Sequence, residues 1–153
     1  MPSSVGMTAT PRQVFDRLVA GVAAFRFDEL PDLYAEVTDV RHPMATPPAE
    51  PLRSRDELRA HFTVPAGSPP PAFRRRAVDV VVHDTRDEEV IVAEFSYEFT
   101  HDDGAVALVP CVFVLRVRDG VIVESRDYID PIRSAEARRS LDALADHLRS
   151  LAD

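Results

Sequence analysis

The sequence contains no lysine, no asparagine and no tryptophan, and it has one cysteine, Cys111, among 153 residues. Without lysine, the chain cannot form a Schiff base through a side-chain amine. Without asparagine, no amide of that side chain can donate to an oxyanion. One cysteine excludes an internal disulfide and is compatible with a reducing cytosol. Each absence removes one kind of site chemistry.

The chain also lacks a membrane-length apolar run, and its N-terminus has neither the basic flank nor the apolar block of a signal peptide. The net charge of −8 argues against a nucleic-acid partner, because phosphate binding needs a basic face. The basic run Arg74-Arg75-Arg76 is interpreted as the solvated entry to a strand, with an anion site as the alternative. We therefore expect a cytoplasmic protein that binds neither nucleic acid nor membranes.

Metal and cofactor motifs are missing too. No two histidines have the spacing of metal ligands on one helical turn, and serine-nucleophile and phosphate-binding glycine motifs are absent. The histidines are His42, His61, His83, His101 and His147. We expect neither a metal ion nor a cofactor.

A chain of this length fits one domain. We expect residues 1–10 to be flexible, residues 11–131 to form the body of the domain, and residues 132–153 to add a C-terminal helix. Thr10 and Pro11 predict the start of the first helix, with threonine as the N-cap and proline in the first helical position.

Further helices are predicted along the chain. Apolar spacing predicts a short helix at residues 28–36, and Ser54 followed by Glu57 predicts a capping box at the start of a third helix. The last helix is predicted at residues 134–151, where leucines recur every three or four positions. Eight of the thirteen prolines lie within residues 43–71, so most of that region is predicted to be loop.

Period-two alternation predicts four long strands in the second half of the chain. They are Ala77–His83, Glu89–Thr100, Ala105–Arg118 and Val121–Asp130. Asp119-Gly120 is a strong hairpin signal, and short turns join the other strands, so the four are predicted to be antiparallel. Residues 39–42, which Pro43 ends, add one short strand. With three helices of the N-terminal half packed on its concave face, this sheet predicts a cone-shaped α+β fold.

The alternation also assigns side chains to the two faces of the sheet. The predicted inner face carries Ile91, Ala93, Phe95, Tyr97, Phe99, Val109, Cys111, Phe113, Leu115, Val123, Ser125, Asp127 and Ile129. Asp127 is the carboxylate of this set. Burial among Phe95, Phe99 and Phe113 would raise its pKa, which suits a general acid or a proton-shuttling base. The alternative is a structural aspartate bonded to backbone N–H groups or to Arg126.

The order of the predicted elements resembles the nuclear transport factor 2-like superfamily from Pro11 to Pro131. Leu33-Tyr34-Ala35-Glu36 followed by Val40-Arg41-His42-Pro43 resembles the superfamily's passage from helix to first strand. Arg55-Asp56-Glu57-Leu58 resembles the opening of its third helix. Arg126-Asp127-Tyr128-Ile129-Asp130 resembles the strand end of SnoaL-like polyketide cyclases and limonene epoxide hydrolases. The superfamily spans isomerases, cyclases, dehydratases, hydrolases and non-catalytic modules, so the fold does not fix the function.

The resemblance implies roles for single positions. In ketosteroid isomerases the general-base aspartate precedes the proline of the first strand, and His42 stands there in this chain, with a pKa better placed for neutral pH. The oxyanion-hole positions of those enzymes correspond to Leu18 and Phe113, so their mechanism is not expected. Of the five water-holding residues of limonene epoxide hydrolases, one is kept, as Asp127. SnoaL-like cyclases, which the sequence also resembles, have an apolar pocket with one or two acid–base residues. His42 and Asp127 would supply those two residues.

We predict a small-molecule pocket and a cofactor-independent acid–base enzyme of the isomerase, cyclase or hydrolase type, acting on an apolar or aromatic substrate. His42 is the predicted base, Asp127 its partner or the acid, and Tyr97 a hydroxyl donor to a carbonyl oxygen. The predicted substrate contacts are Tyr34, His61, Phe95, Phe99, Cys111 and Phe113. The alternative is a ligand-binding or interaction module of the same fold without catalysis.

The superfamily commonly pairs through the outer face of the sheet, so the resemblance implies a homodimer. The predicted outer face combines opposite charges with apolar side chains, which suits a contact between two identical surfaces. Its members are Glu94, Glu98, Val112, Val114, Arg116, Glu124, Arg126 and Tyr128.

Overall fold

The computed structural model describes residues 7–153, so the first six residues of the predicted flexible segment lie outside the described part. The helices are α1 (Pro11–Ala23), α2 (Arg55–Phe62), α3 (Pro131–Ala137) and α4 (Leu141–Ser150), with a 3₁₀ turn at Leu30–Leu33. The strands are β1 (Tyr34–Arg41), β2 (Leu52–Ser54), β3 (Phe73–Asp84), β4 (Val90–His101), β5 (Val106–Arg118) and β6 (Val121–Ile129). Within residues 7–153, no helix is long and apolar enough to cross a membrane.

The six strands form one curved, unclosed sheet in the order β2-β1-β6-β5-β4-β3. The four long strands β3 to β6 are antiparallel neighbours, as predicted. β1 joins the sheet parallel to β6, and the short β2 pairs antiparallel with β1. α1 and α3 pack on the long strands and α2 packs on β1. The predicted α+β class is therefore confirmed.

Side-chain caps explain where the first two helices begin. The Thr10 hydroxyl accepts a hydrogen bond from the Gln13 N–H (3.2 Å), and the Gln13 side chain accepts one from the Thr10 N–H (3.0 Å), which completes a capping box. Ser54 caps α2 by accepting from the Glu57 N–H at 3.1 Å, as predicted. The Glu57 carboxylate accepts from the Arg53 N–H instead of the Ser54 N–H, so the predicted return bond is displaced by one residue.

β1 begins where a helix was predicted. Within residues 28–36 the only helical piece is the 3₁₀ turn, and Tyr34 already opens an eight-residue strand. That strand takes in residues 39–41 of the short strand predicted at residues 39–42, and it ends before His42. Three residues of the strand are β-branched and favour extended backbone. The Thr38 hydroxyl also donates to the Ile122 carbonyl of β6 at 3.1 Å. Pairing with a strand far away in the sequence therefore overrides the local helical pattern.

The C-terminal segment forms two helices instead of the single predicted one. Asp130 caps α3 by accepting from two backbone N–H groups at 3.0 and 2.9 Å. α3 ends because Arg139 adopts a left-handed conformation (φ 56°) and the Ser140 N–H donates to the Ala135 carbonyl (2.8 Å), in the pattern of a Schellman motif. The turn leaves Arg138 at the end of α3, where its guanidinium lies over an aromatic ring of the inner sheet face.

A bulge in β6 changes one part of the predicted inner face. One step along β5 corresponds to two steps along β6, from Glu124 to Ile122, so Val123 has no direct partner. Ile122 is consequently buried in the core in the place predicted for Val123. Beyond the bulge, Ser125 and Asp127 are buried on the inner face as the alternation predicts.

The core lies between α1 and the inner face of the sheet. Phe15 of α1 meets Phe95 and Phe113 edge to face, with ring centroids 5.3 and 6.4 Å away, and those two rings are 5.0 Å apart. Burying one such ring contributes about 1.5–3 kcal/mol. The residues predicted to face inward on β4 and β5 are all buried, so the alternation was correct for these two strands.

Candidate active site

The helices and the inner sheet face enclose a cavity of about 360 Å³. Its apolar wall includes Leu18, Val22, Phe27, Phe62, Phe99 and Phe113. Its polar groups are Tyr34, His42, His61, Arg75, Tyr97, Asp127, Ser134 and Arg138. A cavity of this size with apolar walls and a few polar groups suits a small organic ligand.

Asp127 is the most deeply buried charged residue of the cavity, with 6% of its surface exposed. It lies on β6, and the Ser125 hydroxyl two residues before it donates a hydrogen bond to its carboxyl Oδ1. Burial raises the pKa of Asp127 to about 7, against a smaller lowering by the Ser125 hydrogen bond. Asp127 is therefore much more readily protonated near neutral pH than an exposed aspartate would be.

His42 follows β1 directly and faces the same carboxyl. Its Nε2 lies 3.6 Å from Oδ2 of Asp127, slightly beyond a direct hydrogen bond, and 21% of its side chain is exposed. Burial lowers the pKa of His42. The two sequence-predicted acid–base residues thus converge in one cavity, as the parallel pairing of β1 with β6 requires.

Burial acts on Asp127 and His42 in the same sense, because it disfavours the charged form of each. At neutral pH it favours the carboxylic acid on Asp127 and the neutral imidazole on His42. The pair then holds a proton donor and a proton acceptor side by side. This is the arrangement that general acid–base catalysis needs near pH 7.

His61 of α2 extends the pair toward the cavity mouth. Its ring stacks on the His42 ring with centroids 5.6 Å apart and an interplanar angle of 28°. Partial burial, followed by the charge of His42, lowers the pKa of His61. Two stacked imidazolium ions would repel one another, so this stacking also favours a neutral His42.

Two tyrosines, Tyr34 and Tyr97, line the same cavity. The Tyr97 hydroxyl of β4 is buried and has no hydrogen-bond partner in the described part of the chain. Burial raises the pKa of Tyr97 well above its usual range, so the hydroxyl stays protonated and able to donate. Burial also raises the pKa of Tyr34, with Asp127 and Tyr97 contributing. An unsatisfied buried hydroxyl costs about 1–3 kcal/mol, which a ligand oxygen would offset.

Four of the six predicted substrate contacts line the cavity: Tyr34, His61, Phe99 and Phe113. Phe95 and Cys111 lie outside the lining. Phe95 packs between Phe15 and Tyr97, at ring centroid distances of 5.3 and 5.1 Å. The Cys111 thiol donates to the Val109 carbonyl at 3.4 Å, and burial raises its pKa to about 12, so it is a neutral core residue.

Arg75 belongs to the site although the basic run was interpreted as a solvated strand entry. Arg74 and Arg76 are exposed, and Arg76 pairs with Glu98 at 2.9 Å, as that interpretation predicts. Arg75 points inward and lines the cavity. The sequence contained the signal, since period-two alternation puts Arg75 on the same face as Phe73.

Arg138 is the second arginine of the cavity. Its guanidinium carbon lies 5.8 Å from the centroid of the Phe99 ring, the same distance as that of Arg75. Desolvation lowers the pKa of Arg138, although the residue as a whole remains exposed to solvent. Nothing in the sequence indicated this residue, because its position depends on the chain reversal at Arg139.

A second cavity of about 590 Å³ adjoins the first one. The two cavities share six lining residues: His42, His61, Asp127, Ile129, Ser134 and Arg138. The other walls of the second cavity include the proline-rich loop, α3 and α4. The buried Nε2 of His147 faces no partner among the described residues. The acid–base pair therefore lies at the junction of two cavities. Within residues 7–153 there is no group of three or more metal-ligating side chains.

The sequence was compared with known families and proteins. Residues 15–125 match the family described as SnoaL-like domain. No curated protein matches the chain.

Solved structures with the same fold are numerous but distant in sequence. A proposed isomerase from Bacillus subtilis superposes with a TM-score of 0.66 at 18% identity, covering 84% of this chain and 92% of the other. A proposed polyketide cyclase from Pseudomonas putida gives 0.62 at 19% identity, over 86% and 98% of the two chains. An NTF2-like protein from Anabaena variabilis gives 0.59 at 19% identity, over 78% and 85%. At these identities the similarity establishes the fold alone.

Proposed function

This chain belongs to the SnoaL-like family of the nuclear transport factor 2-like superfamily, and we propose that it is a cofactor-independent acid–base enzyme acting on an apolar or aromatic small molecule. One observation carries the proposal. A carboxyl group with a pKa of about 7 lies 3.6 Å from a histidine at the junction of two cavities. Among the described residues no arginine pairs with Asp127, which argues against a purely structural role.

The proposed reaction is proton transfer next to a carbonyl group. His42 Nε2 takes a proton from the carbon beside the carbonyl, and the electron pair of the broken C–H bond moves onto the carbonyl oxygen. The Tyr97 hydroxyl donates a hydrogen bond to that developing oxyanion. In molecules whose Asp127 is ionised when the substrate binds, its carboxylate stabilises the imidazolium of His42.

The resulting enolate has two possible outcomes. Return of the proton from His42 to another carbon gives isomerisation, and attack of the enolate carbon on a second carbonyl gives ring closure. In ring closure the proton that His42 took from the carbon passes to the new alkoxide, which returns His42 to its neutral form. The proposal thus covers the isomerase and cyclase types with the same two residues.

Proton exchange tests the proposal without knowledge of the natural substrate. Acetophenone in D₂O provides an aromatic ketone whose methyl protons exchange slowly, and NMR measures their loss. We expect the wild-type protein to accelerate exchange and His42→Ala and Asp127→Asn to lose about 10²–10⁴-fold of that acceleration.

His83→Ala and Asp102→Asn are the matched controls, because they remove an exposed histidine and an exposed aspartate away from the cavity. Both should exchange like the wild type. Folded His42→Ala and Asp127→Asn proteins that also match the wild type would refute the assignment. The assignment would also be refuted if the methyl protons of acetophenone exchanged no faster with the wild-type protein than in buffer alone. A ligand-binding module without catalysis would then explain the cavity better.

We also propose that the chain forms a homodimer through the outer sheet face. Val112 and Val114 on that face are half-buried, and four of the five charged residues of the face are paired within the chain: Glu94, Glu98, Arg116 and Glu124. Such a face combines apolar contact area with little unpaired charge to desolvate. Light scattering at micromolar concentration should give the mass of two chains, and the mass of one chain would contradict the dimer.

A further inference from the structure

Two arginines lie in the cavity of a protein that has more carboxylates than cations. The chain has 26 acidic and 18 basic side chains, so most arginines could find an acidic partner. Within residues 7–153, neither Arg75 nor Arg138 has a carboxylate oxygen within 4.0 Å. Their charges are therefore uncompensated by the protein at the place where a ligand would lie.

Arg75 is held in a fixed orientation. Its Nε and Nη2 donate to the Val22 carbonyl at 3.0 and 2.9 Å, and its guanidinium carbon lies 4.6 Å from the Phe25 ring centroid. Phe27 and Phe99 stand 5.6 and 5.8 Å away. These contacts fix the plane of the group and leave the Nη1 donors without a protein acceptor in the described structure. A guanidinium with a fixed plane and free N–H groups is preorganised for an oxyanion.

Arg138 brings a second positive charge to the same ring. Both guanidinium carbons lie 5.8 Å from the Phe99 centroid. Burial and the charge of Arg138 lower the pKa of Arg75 to about 10, which still leaves it charged at neutral pH. Two like charges in a partly desolvated space repel one another, and an anion between them would remove that cost.

We propose that the cavity takes an aromatic or apolar small molecule that carries a carboxylate, bound by Arg75 and Arg138, while its ketone oxygen lies at Tyr97. The planar carboxylate matches the fork of the guanidinium, and the Phe99 and Phe113 rings cover the apolar body. This inference names the substrate class of the proposed site, and rests on the proposed function in treating the cavity as the ligand site and Tyr97 as the donor to the ketone oxygen.

Binding of 4-acetylbenzoate and of its methyl ester, measured by calorimetric titration, tests the proposal. The two compounds share the aryl ketone and differ in the charge. We expect the wild-type protein to bind the acid at least about tenfold more tightly than the ester, as one charge-assisted contact provides. Arg138→Gln should weaken binding of the acid by about tenfold or more and leave the affinity for the ester unchanged.

Arg138 is the main target because, in the described part of the chain, its side chain makes no hydrogen bond that the fold would lose. Arg75→Gln is the second variant, with circular dichroism to show that it folds. Arg74→Gln is the control, since it makes the same change in net charge on an exposed neighbour.

Three results would overturn the proposal: equal affinity for acid and ester, an unchanged acid affinity in folded Arg138→Gln, or no saturable binding of the acid by the wild type. The titration needs no turnover. Acid binding that depends on Arg138 without proton exchange would refute the enzyme proposal alone. Exchange without such binding would refute the anion site alone.

Discussion

The inner and outer faces of the sheet hold charged side chains in different surroundings. On the outer face, the Arg116 guanidinium reaches three carboxylates between 2.8 and 3.3 Å. They belong to Asp87, Glu89 and Glu124. On the inner face, the described residues give Asp127 a serine hydroxyl and a histidine 3.6 Å away, and they give Arg75 a backbone carbonyl.

The difference teaches what each face is for. Exposed ion pairs are screened by water, so the outer network contributes little to the stability of the single chain. Buried polar groups without a full set of partners cost stability, and such groups cluster where a protein binds or transforms a ligand. Three pairs of variants test this difference, and each pair changes an inner residue and an outer residue of the same type. If the two variants of a pair behaved alike, the distinction between the faces would be weakened.

The first comparison concerns packing on β5. Leu115 faces inward and is fully buried, whereas Leu108 faces outward with 47% of its surface exposed. Leu115→Ala should lower the free energy of unfolding by about 2–5 kcal/mol, because it removes buried methyl groups and leaves a cavity. Leu108→Ala should change it by less than about 0.5 kcal/mol. Urea denaturation measures both, and similar losses would show that the outer face is covered, as in the proposed dimer.

The second comparison concerns two carboxyl groups with opposite pKa shifts. Folding raises the pKa of Asp127 from 3.8 to about 7 through burial. Between these values the unfolded chain is ionised while the folded chain is protonated, so rising pH destabilises the folded state up to about pH 7 and no further. Asp127→Asn should therefore be more stable than the wild type above pH 7, by about 2–4 kcal/mol, and the gain should vanish toward pH 4.

Asp39 on the outer side of β1 is the control. The Arg41 hydrogen bond lowers the pKa of Asp39, so its ionised form stabilises the folded state above its unfolded pKa, and that contribution is lost as pH falls. Asp39→Asn should be slightly less stable than the wild type at neutral pH. Urea denaturation curves of the wild type and both variants, measured across pH, give the free energies of unfolding to be compared. A wild type that is more stable than Asp127→Asn above pH 7 would show that a partner stabilises the Asp127 carboxylate.

The sequence predicted the inner face because strand alternation is a local rule. Phe113 and Asp127 could be placed from their neighbours alone, and the structure puts both on the inner face of the sheet. The same rule places Arg75 on the inner face. Three consecutive arginines are usually a solvated surface, however, and the basic run was interpreted in that way. The anion site was named as the alternative and stays a proposal.

Other features depended on contacts between distant parts of the chain. The start of β1 at Tyr34 follows from parallel pairing with β6. The burial of Ile122 in the place predicted for Val123 follows from a bulge in β6. The position of Arg138 follows from the left-handed turn at Arg139, a conformation that arginine rarely adopts and that no sequence signal announced. These features set the polar end of the cavity, so the site was less predictable than the fold.

The third comparison, with the smallest expected effect, concerns two tyrosine hydroxyls. The Tyr97 hydroxyl is buried without a partner among the described residues, whereas Tyr128 lies half-buried on the outer face. Tyr97→Phe should raise the free energy of unfolding by about 1 kcal/mol, because it removes an unsatisfied polar group, and Tyr128→Phe should leave it unchanged. Tyr97→Phe should also slow proton exchange on acetophenone, since its hydroxyl is proposed to stabilise the oxyanion. A variant that is less stable than the wild type would mean that the hydroxyl is satisfied in the folded protein, and the donor role of Tyr97 would then need an existing bond to be broken first.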